Sequence, residues 1–411
     1  MNHNILTSIF KDFPAPDKLM AYRNDKVLNV NAHIHTPFSF SAFSDLEQPF
    51  RMAVEENVQV LGINDFNTVK GYEEFYRLGL DNHVFPLFNI EFIGLLEEEQ
   101  QNGIRVNDPN NPGRTYFSGK ALRFPYIPPC GKENFLDDLV ARSSEQIRQM
   151  VDKVNQHFEK TVPGLQISFE KIKNNLAREL VRERHVAKAI RLAVSEKFPD
   201  TEKQFDIYTC MFNGRAPAAH PDEPARLENE IRGYLLKKGG PAFIPEDPDA
   251  FLPVNTIRKF ILESGGIPCY PVLLDNPKGE ITDFEYPKEK LAVKLEMMGI
   301  NAVEFIPGRN SFALLAEYTE YLFNRGFLVM FGTEHNTPEM MPLTVTCRNG
   351  VLLSDNLRRI SWQSSCVLAA HQYLTARGET GYCLSNGTCY STKRDYFTEL
   401  GNAVINYFLK I

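Results

Sequence analysis

Long apolar runs are missing from this chain of 411 residues: no stretch approaches the ~18 consecutive apolar residues that a membrane-spanning helix needs. The opening residues, Met1 to Leu6, have neither the charged start nor the apolar stretch of a secretory leader. A surplus of positive charge is missing too. The net charge is −7, whereas an extended nucleic-acid face needs a concentrated positive field, so only a local basic pocket for one small phosphate remains open. The seven cysteines form no CxxC pair, and their odd number favours reduced thiols in a cytoplasm over disulfides or a thiolate zinc site. Cys383 and Cys389 could pair only in an exported chain. The single tryptophan, Trp362, has no aromatic partners at stacking intervals, which leaves a nucleic-acid platform unsupported. No GxGxxG, Walker loop or GxSxG occurs, and this argues against dinucleotide, nucleoside triphosphate and serine-hydrolase chemistry.

What is present is an ordinary globular composition, 43% hydrophobic and 24% charged, arranged as strands alternating with helices. Residues 27–35, 58–65 and 84–91 read as strands, and 45–56 and 72–78 as helices. Single helices between strands imply a parallel α/β layout. Residues 97–129, rich in Asn, Gly and Pro, read as a long loop. Helices follow: Ser143 and Gln146 have capping-box spacing, and 168–198 reads as one charge-laced helical stretch. The alternation resumes with helices at 254–264, 287–298 and 311–324 and strands at 265–273, 300–306 and 327–332. The organisation expected is a barrel from 1–93 and 254–345, a mostly helical insertion at 94–253, and a C-terminal segment, 346–411, closing the barrel.

His33 and His35 are the strongest chemical signal. Residues two apart on a strand face the same side, so both imidazoles would enter one cavity and could share a divalent cation. Asp65, Glu91 and Glu304 each stand where an apolar strand ends, and a carboxylate there is costly to bury unless paired or metal-bound. Glu334 and His335 follow the strand at 327–332. Histidine with Asp or Glu suits zinc, manganese or iron. His371, in an apolar helical run, reads as a packing residue.

Asn31–Thr36 resembles the opening HxHT motif of the PHP (polymerase and histidinol phosphatase) family. Gly62–Thr68 resembles its second motif, Asn89–Glu91 its G-x-E, Ser264–Pro271 its A-G-G stretch, and Gly332–Asn336 its final motif. Ala302–Glu304, with Arg309 beyond, is similar to a later segment, and Arg184–Ala187 is similar to R-P-H-x-A without the proline. The resemblance implies an α/β fold, a distorted (β/α)₇ TIM-like barrel, and hydrolysis of a small phosphorylated compound by a metal-activated water. Its implied metal ligands are His33, His35 and Glu91, with Glu334 and His335 as substitutes. Asp65 and Glu304 would be catalytic or supporting, and Arg184, His185, Arg309 and Tyr270 would bind phosphate or substrate. Phe66 and Tyr270 stand where the family has histidines, and Asn336 replaces a terminal histidine, so one or two ions are expected rather than a full cluster. Two alternatives stay open: a barrel that has lost phosphatase activity and binds a ligand or partner, and an amidohydrolase-like enzyme, which also opens with HxH.

Overall fold

The structure, a computed structural model, describes residues 9–245, 251–274 and 280–411. Strands of two to eleven residues build one sheet: β1 Val30–Ile34, β2 Val60–Phe66, β3 Phe85–Leu95, β4 Arg114–Lys120, β5 Leu252–Pro253, β6 Ile267–Pro271, β7 Ala302–Phe305 and β8 Leu328–Phe331. Seven of them run in the order β1-β2-β3-β4-β6-β7-β8, and the two-residue β5 sits beside β3. The β1–β2–β3 and β6–β7–β8 ladders are parallel. Continuous burial of β2 and β8 fits strands covered on both faces. The sheet nearly closes on itself. Beyond β8, Thr333 N and Glu334 N both donate to His33 O (3.1 and 2.9 Å), and His35 N donates to Glu334 O (2.7 Å). The result is the expected mixed α/β barrel-like sheet of seven strands with surrounding helices.

Most expected elements lie within a few residues of their observed bounds, since each carries a strong periodic pattern. The helix Tyr72–Asn82, for example, buries Tyr72, Phe75, Tyr76 and Leu78 on one face and ends at His83 in the left-handed region (φ 52°). Three local readings differ. The presumed loop at 97–129 contains the helix Glu97–Gln101 and β4, which is antiparallel to both β3 and β6. Ser143 lies inside the 27-residue helix Phe135–Thr161 rather than capping it. The stretch at 168–198 is two helices, Phe169–Asn175 and Glu183–Lys197, the first capped by Ser168 Oγ accepting from Lys171 N.

Two apolar clusters result. One fills and surrounds the sheet; the other is formed by helices between residues 135 and 244. The helix Asp355–Ala376 packs below the strands, where Gln372 accepts from Phe88 N (3.0 Å) and donates to Pro86 O (3.1 Å). That amide replaces a missing strand neighbour for the first half of β3, because β4 pairs β3 only from Ile90 onward. His371 is buried in the same helix with Nε2 2.7 Å from Gly265 O, a packing role as read from the sequence. Cys383 and Cys389 face each other as free thiols. No described helix is long and apolar enough to cross a membrane.

Candidate metal centre

Side chains from the C-terminal end of β1 and from the middle of β3 meet inside the barrel. Period-two alternation sends His33 and His35 to the same side of β1, and Phe66 and Glu91 are direct neighbours across β2 and β3. His33 Nε2 and His35 Nε2 lie 3.2 Å apart, and Glu91 Oε2 lies 3.1 Å from the latter and 3.7 Å from the former. All three side chains are buried, and these three residues are the one group among the described residues whose ligand atoms cluster in this way.

Each imidazole is aimed by a partner on its other nitrogen. His33 Nδ1 is 2.8 Å from Glu304 Oε2. Glu304 is itself held by Lys120 Nζ (2.6 Å) and Ser118 Oγ (2.6 Å), both from β4. Burial pushes the Glu304 carboxyl up, but Lys120 and His33 outweigh it and hold it well below the usual range. His35 Nδ1 is 3.2 Å from Ser39 Oγ, which donates to Asp65 Oδ1 (2.6 Å). Asp65 also accepts from Thr36 N (2.7 Å) and Thr36 Oγ1. It faces away from Asn64 and Phe66, as alternation requires, and so anchors the turn after β1 rather than the cavity. A carboxylate behind each imidazole is the arrangement that fixes tautomer and direction at metal sites.

The three converging atoms fit a cation. Ligands about 2.1 Å from a zinc-like ion lie roughly 3.0–3.5 Å apart, and two of the three separations fall in that window. Glu91 Oε2 is buried without a hydrogen-bond donor. An oxygen so placed costs free energy unless something positive meets it. Burial pushes the Glu91 carboxyl above its ordinary range, and burial lowers His35 to about 4, so this imidazole keeps its lone pair at neutral pH. One group competes: Asn64 Nδ2 is 3.0 Å from His33 Nε2, its amide oriented by Lys120 on Oδ1 (3.1 Å).

The other expected site residues are distributed differently. Glu334 pairs with Arg309 at the rim, and both line a cavity of about 200 Å³ that reaches Glu91, Glu304, Tyr116 and Asn336. His335 has both nitrogens engaged, Nδ1 with Thr333 Oγ1 (2.8 Å) and Nε2 with Met341 O (2.8 Å), and its ring stacks on Phe43. It lies outside the convergent set because no lone pair is left for a cation. Tyr270 sits on the outer face of β6, with its hydroxyl on Glu285 (3.1 Å), because Cys269 and not Tyr270 takes the inward register. Arg184 donates to Asn229 Oδ1 (3.1 Å) and covers Phe40, while His185 Nδ1 accepts from Arg182 N (3.0 Å) inside the helical cluster. Burial takes His185 down to about 3, so its imidazole is neutral packing at that helix start.

Three residues escaped the sequence reading. Lys120 and Ser118 lie on β4, within the stretch read as loop, although its Tyr116-Phe117 pair after Gly113 is a strand signal. Arg182 places its guanidinium 4.4 Å from the centre of the Phe66 ring, which stacks on His35 at 4.7 Å. Nothing local in the sequence marks Arg182, because its position depends on how the helices meet the barrel.

The fold and this centre define a barrel able to hold a divalent cation at its mouth. No protein-family model matches the chain, and no curated protein does. Among solved structures it is similar to a Bifidobacterium adolescentis protein described provisionally as a metal-dependent phosphoesterase, at 13% identity and a TM-score of 0.53. That match covers 83% of this chain and 98% of the other. An amidohydrolase from Chromobacterium violaceum, with bound sulfate and no metal, aligns at 13% identity and a TM-score of 0.49, covering 78% and 93%. At 13% identity the first of these likenesses is one of fold alone.

Proposed function

We propose that the chain is a metal-dependent phosphoesterase that hydrolyses a small phosphorylated substrate, with one divalent cation held by His33, His35 and Glu91. The observation that carries this reading is the convergence of two Nε2 atoms on a buried carboxylate oxygen that has no donor of its own. A zinc, manganese or iron ion there would supply an acidified water and offset phosphoryl charge. The chain's own groups do the rest. Glu304 and the Ser39–Asp65 pair hold the imidazoles in register. The adjoining cavity is acidic, with Glu91, Asp108, Glu304 and Glu334 against Arg309, so a phosphate would be repelled without a cation. Arg309 is half-exposed at the rim and can turn from Glu334 to a phosphate edge, which a guanidinium matches with two parallel donors.

A second reading, a barrel that binds a ligand without hydrolysing it, is favoured by Phe66 filling the space beside His35 and by Asn64 competing for His33. Phosphate release from nucleotides, sugar phosphates and short oligonucleotides, measured with added manganese, zinc or iron, separates the two. The hydrolase reading expects release that chelation and His33→Ala both abolish. Stoichiometric metal without release supports the binding reading, and turnover confined to amides or unphosphorylated esters supports an amidohydrolase-like activity.

A further inference from the structure

The segment joining the helices Asp355–Ala376 and Arg394–Phe408 holds two nucleophilic groups that the metal centre does not use. Residues 383–389 read Cys-Leu-Ser-Asn-Gly-Thr-Cys. Asn-Gly favours a tight turn because glycine enters the left-handed region without steric cost, and Gly387 stands there at φ 88°. Gly387 N donates to Leu384 O (2.8 Å), and Thr388 N donates to Asn386 Oδ1 (2.9 Å). Leu384 N then donates to Thr388 O, and Tyr390 N to Tyr382 O, both at 2.9 Å. Between these two bonds Cys383 stands opposite Cys389. A pair so placed in an antiparallel ladder exchanges no backbone bonds of its own, which brings its Cα atoms to about 4.5 Å and its side chains to one face. That separation lies within the range of about 4.4–6.8 Å that a disulfide spans. The two Sγ atoms are 2.8 Å apart, so the turn sets the register that puts sulfur against sulfur.

The surroundings distinguish the two thiols. Cys383 is buried, whereas Cys389 is half-buried beside the exposed tip of Ser385, Asn386 and Thr388. Asn301, just before β7, has Nδ2 3.7 Å from Cys389 Sγ. Arg258, on the helix Val254–Glu263, packs against Gly387, where a Cβ would lie 2.3 Å from Nη2. The Cys383 thiol, with Asn301 and Arg258, holds Cys389 below its ordinary value against the effect of burial. The contact with Cys389, together with burial, pushes Cys383 up. A more acidic and more accessible thiol beside a protonated one is suited to a first attack by one sulfur and resolution by the other.

We propose that Cys383 and Cys389 are a modification site, a dithiol that a small hydroperoxide oxidises to a disulfide. The Cys389 thiolate attacks a peroxide oxygen and breaks the O–O bond, leaving Cys389 as a sulfenic acid and releasing an alcohol, or water from hydrogen peroxide. The Cys383 sulfur then attacks the Cys389 sulfur, and the Cys383 proton leaves with the sulfenic hydroxyl as water. Two thiols and one peroxide thus give one disulfide, one alcohol or water, and one further water. The half-buried position of Cys389 admits a small peroxide more readily than a bulky disulfide. A bond of this kind is transient in a reducing compartment, which agrees with free thiols at rest. The proposal does not depend on phosphoesterase activity.

The test uses the reduced full-length chain loaded with zinc, which takes no part in redox chemistry, and hydrogen peroxide as the oxidant. Both cysteines fall in one tryptic peptide, residues 378–393. After alkylation of the remaining thiols, mass spectrometry reads the disulfide as an unalkylated peptide lighter by two hydrogens. It is expected to form at least about 10-fold faster than the exposed Cys130 and Cys210 are oxidised, and dithiothreitol should restore both thiols. In Cys383→Ser, Cys389 should stop at the sulfenic acid, trapped by dimedone; in Cys389→Ser, Cys383 should stay a thiol. If a variant fails to fold, the measurement on the unmodified chain decides alone. Alkylation of both cysteines in this peptide after Cys130 and Cys210 have been oxidised overturns the proposal. A disulfide from either cysteine to another part of the chain also overturns it. Equally fast oxidation of Cys383 in Cys389→Ser overturns the order of attack.

Discussion

Two sides of one barrel mouth carry the same residue types and do different things. On the β1–β3 side, His33, His35 and Glu91 each keep an atom pointed at a common centre, and carboxylates behind the rings hold them there. On the β8 side, Glu334 and His335 also follow a buried strand, yet His335 spends both nitrogens on Thr333 and Met341, and Glu334 pairs with Arg309. A histidine at a strand end can therefore serve as a ligand only where one nitrogen is fixed by a neighbour and the other faces the shared centre, as at His35; at His33 the Asn64 amide competes for that nitrogen. The left-handed backbone at Glu334 and His335 (φ 64° and 55°) shows how the difference arises. This turn bonds back to β1 through its main chain and rotates the His335 ring away from the cavity. Gly332 lets it come so close, since a Cβ there would lie 2.3 Å from His33 Cβ.

The comparison breaks most readily by mutation at its two ends. His33→Ala or His35→Ala is expected to weaken metal binding by at least about 100-fold, because a three-ligand site loses a whole donor. His335→Ala is expected to leave the metal content of the purified protein unchanged. Elemental analysis of the three variants decides this, and metal loss in His335→Ala would place that ring in the centre.

Glu304→Gln comes next. It strips Lys120 of its buried counter-charge, and breaking such a pair costs about 3–5 kcal/mol. It also puts a neutral amide in place of the carboxylate behind His33 Nδ1, so metal affinity should fall by about 10–100-fold. Denaturant unfolding and metal titration read the two effects separately. Asp65→Asn should cost affinity by about 10-fold through Ser39 and His35, with a smaller change in stability. An unchanged affinity would show that Ser39 alone orients the ring.

The smallest expected effect is one of pH. Burial holds His335 below its ordinary value of 6.5. As pH falls through 6.5, the unfolded chain takes up a proton that the folded ring refuses, so stability declines until the folded ring also protonates. His35 and His371, lowered to about 4, and His185, lowered to about 3, contribute in the same direction. His335→Gln should therefore flatten, without abolishing, the loss of stability between pH 6.5 and 5. An unaltered slope in denaturant unfolding would mean that the ring is not neutral and buried in solution.

Much of this was legible in the sequence for a physical reason. β1, β2, β3, β6, β7 and β8 are buried on both faces and read as short apolar runs, and the spacing of His33 and His35 decides their common side without any tertiary information. β4 was not legible: it is antiparallel, partly polar and set among Gly, Pro and Asn, so composition favoured a loop. Lys120, the counter-charge for Glu304, was hidden with it. The outward face of Tyr270 was in principle legible, since alternation with Cys269 fixes it once the inward residue is known, but no pattern said which was inward. The fate of His335 and the position of Arg182 depend on contacts between segments far apart in the chain, and local pattern carries no record of these.

The central claim is met most directly by anomalous diffraction from crystals of the manganese- or zinc-loaded protein. The account predicts one strong anomalous peak within about 2.0–2.3 Å of His33 Nε2, His35 Nε2 and a Glu91 oxygen, with His335 still bonded to Thr333 and Met341. A dry centre with the three side chains bonded only to protein, or an ion seated on His335 instead, would contradict it.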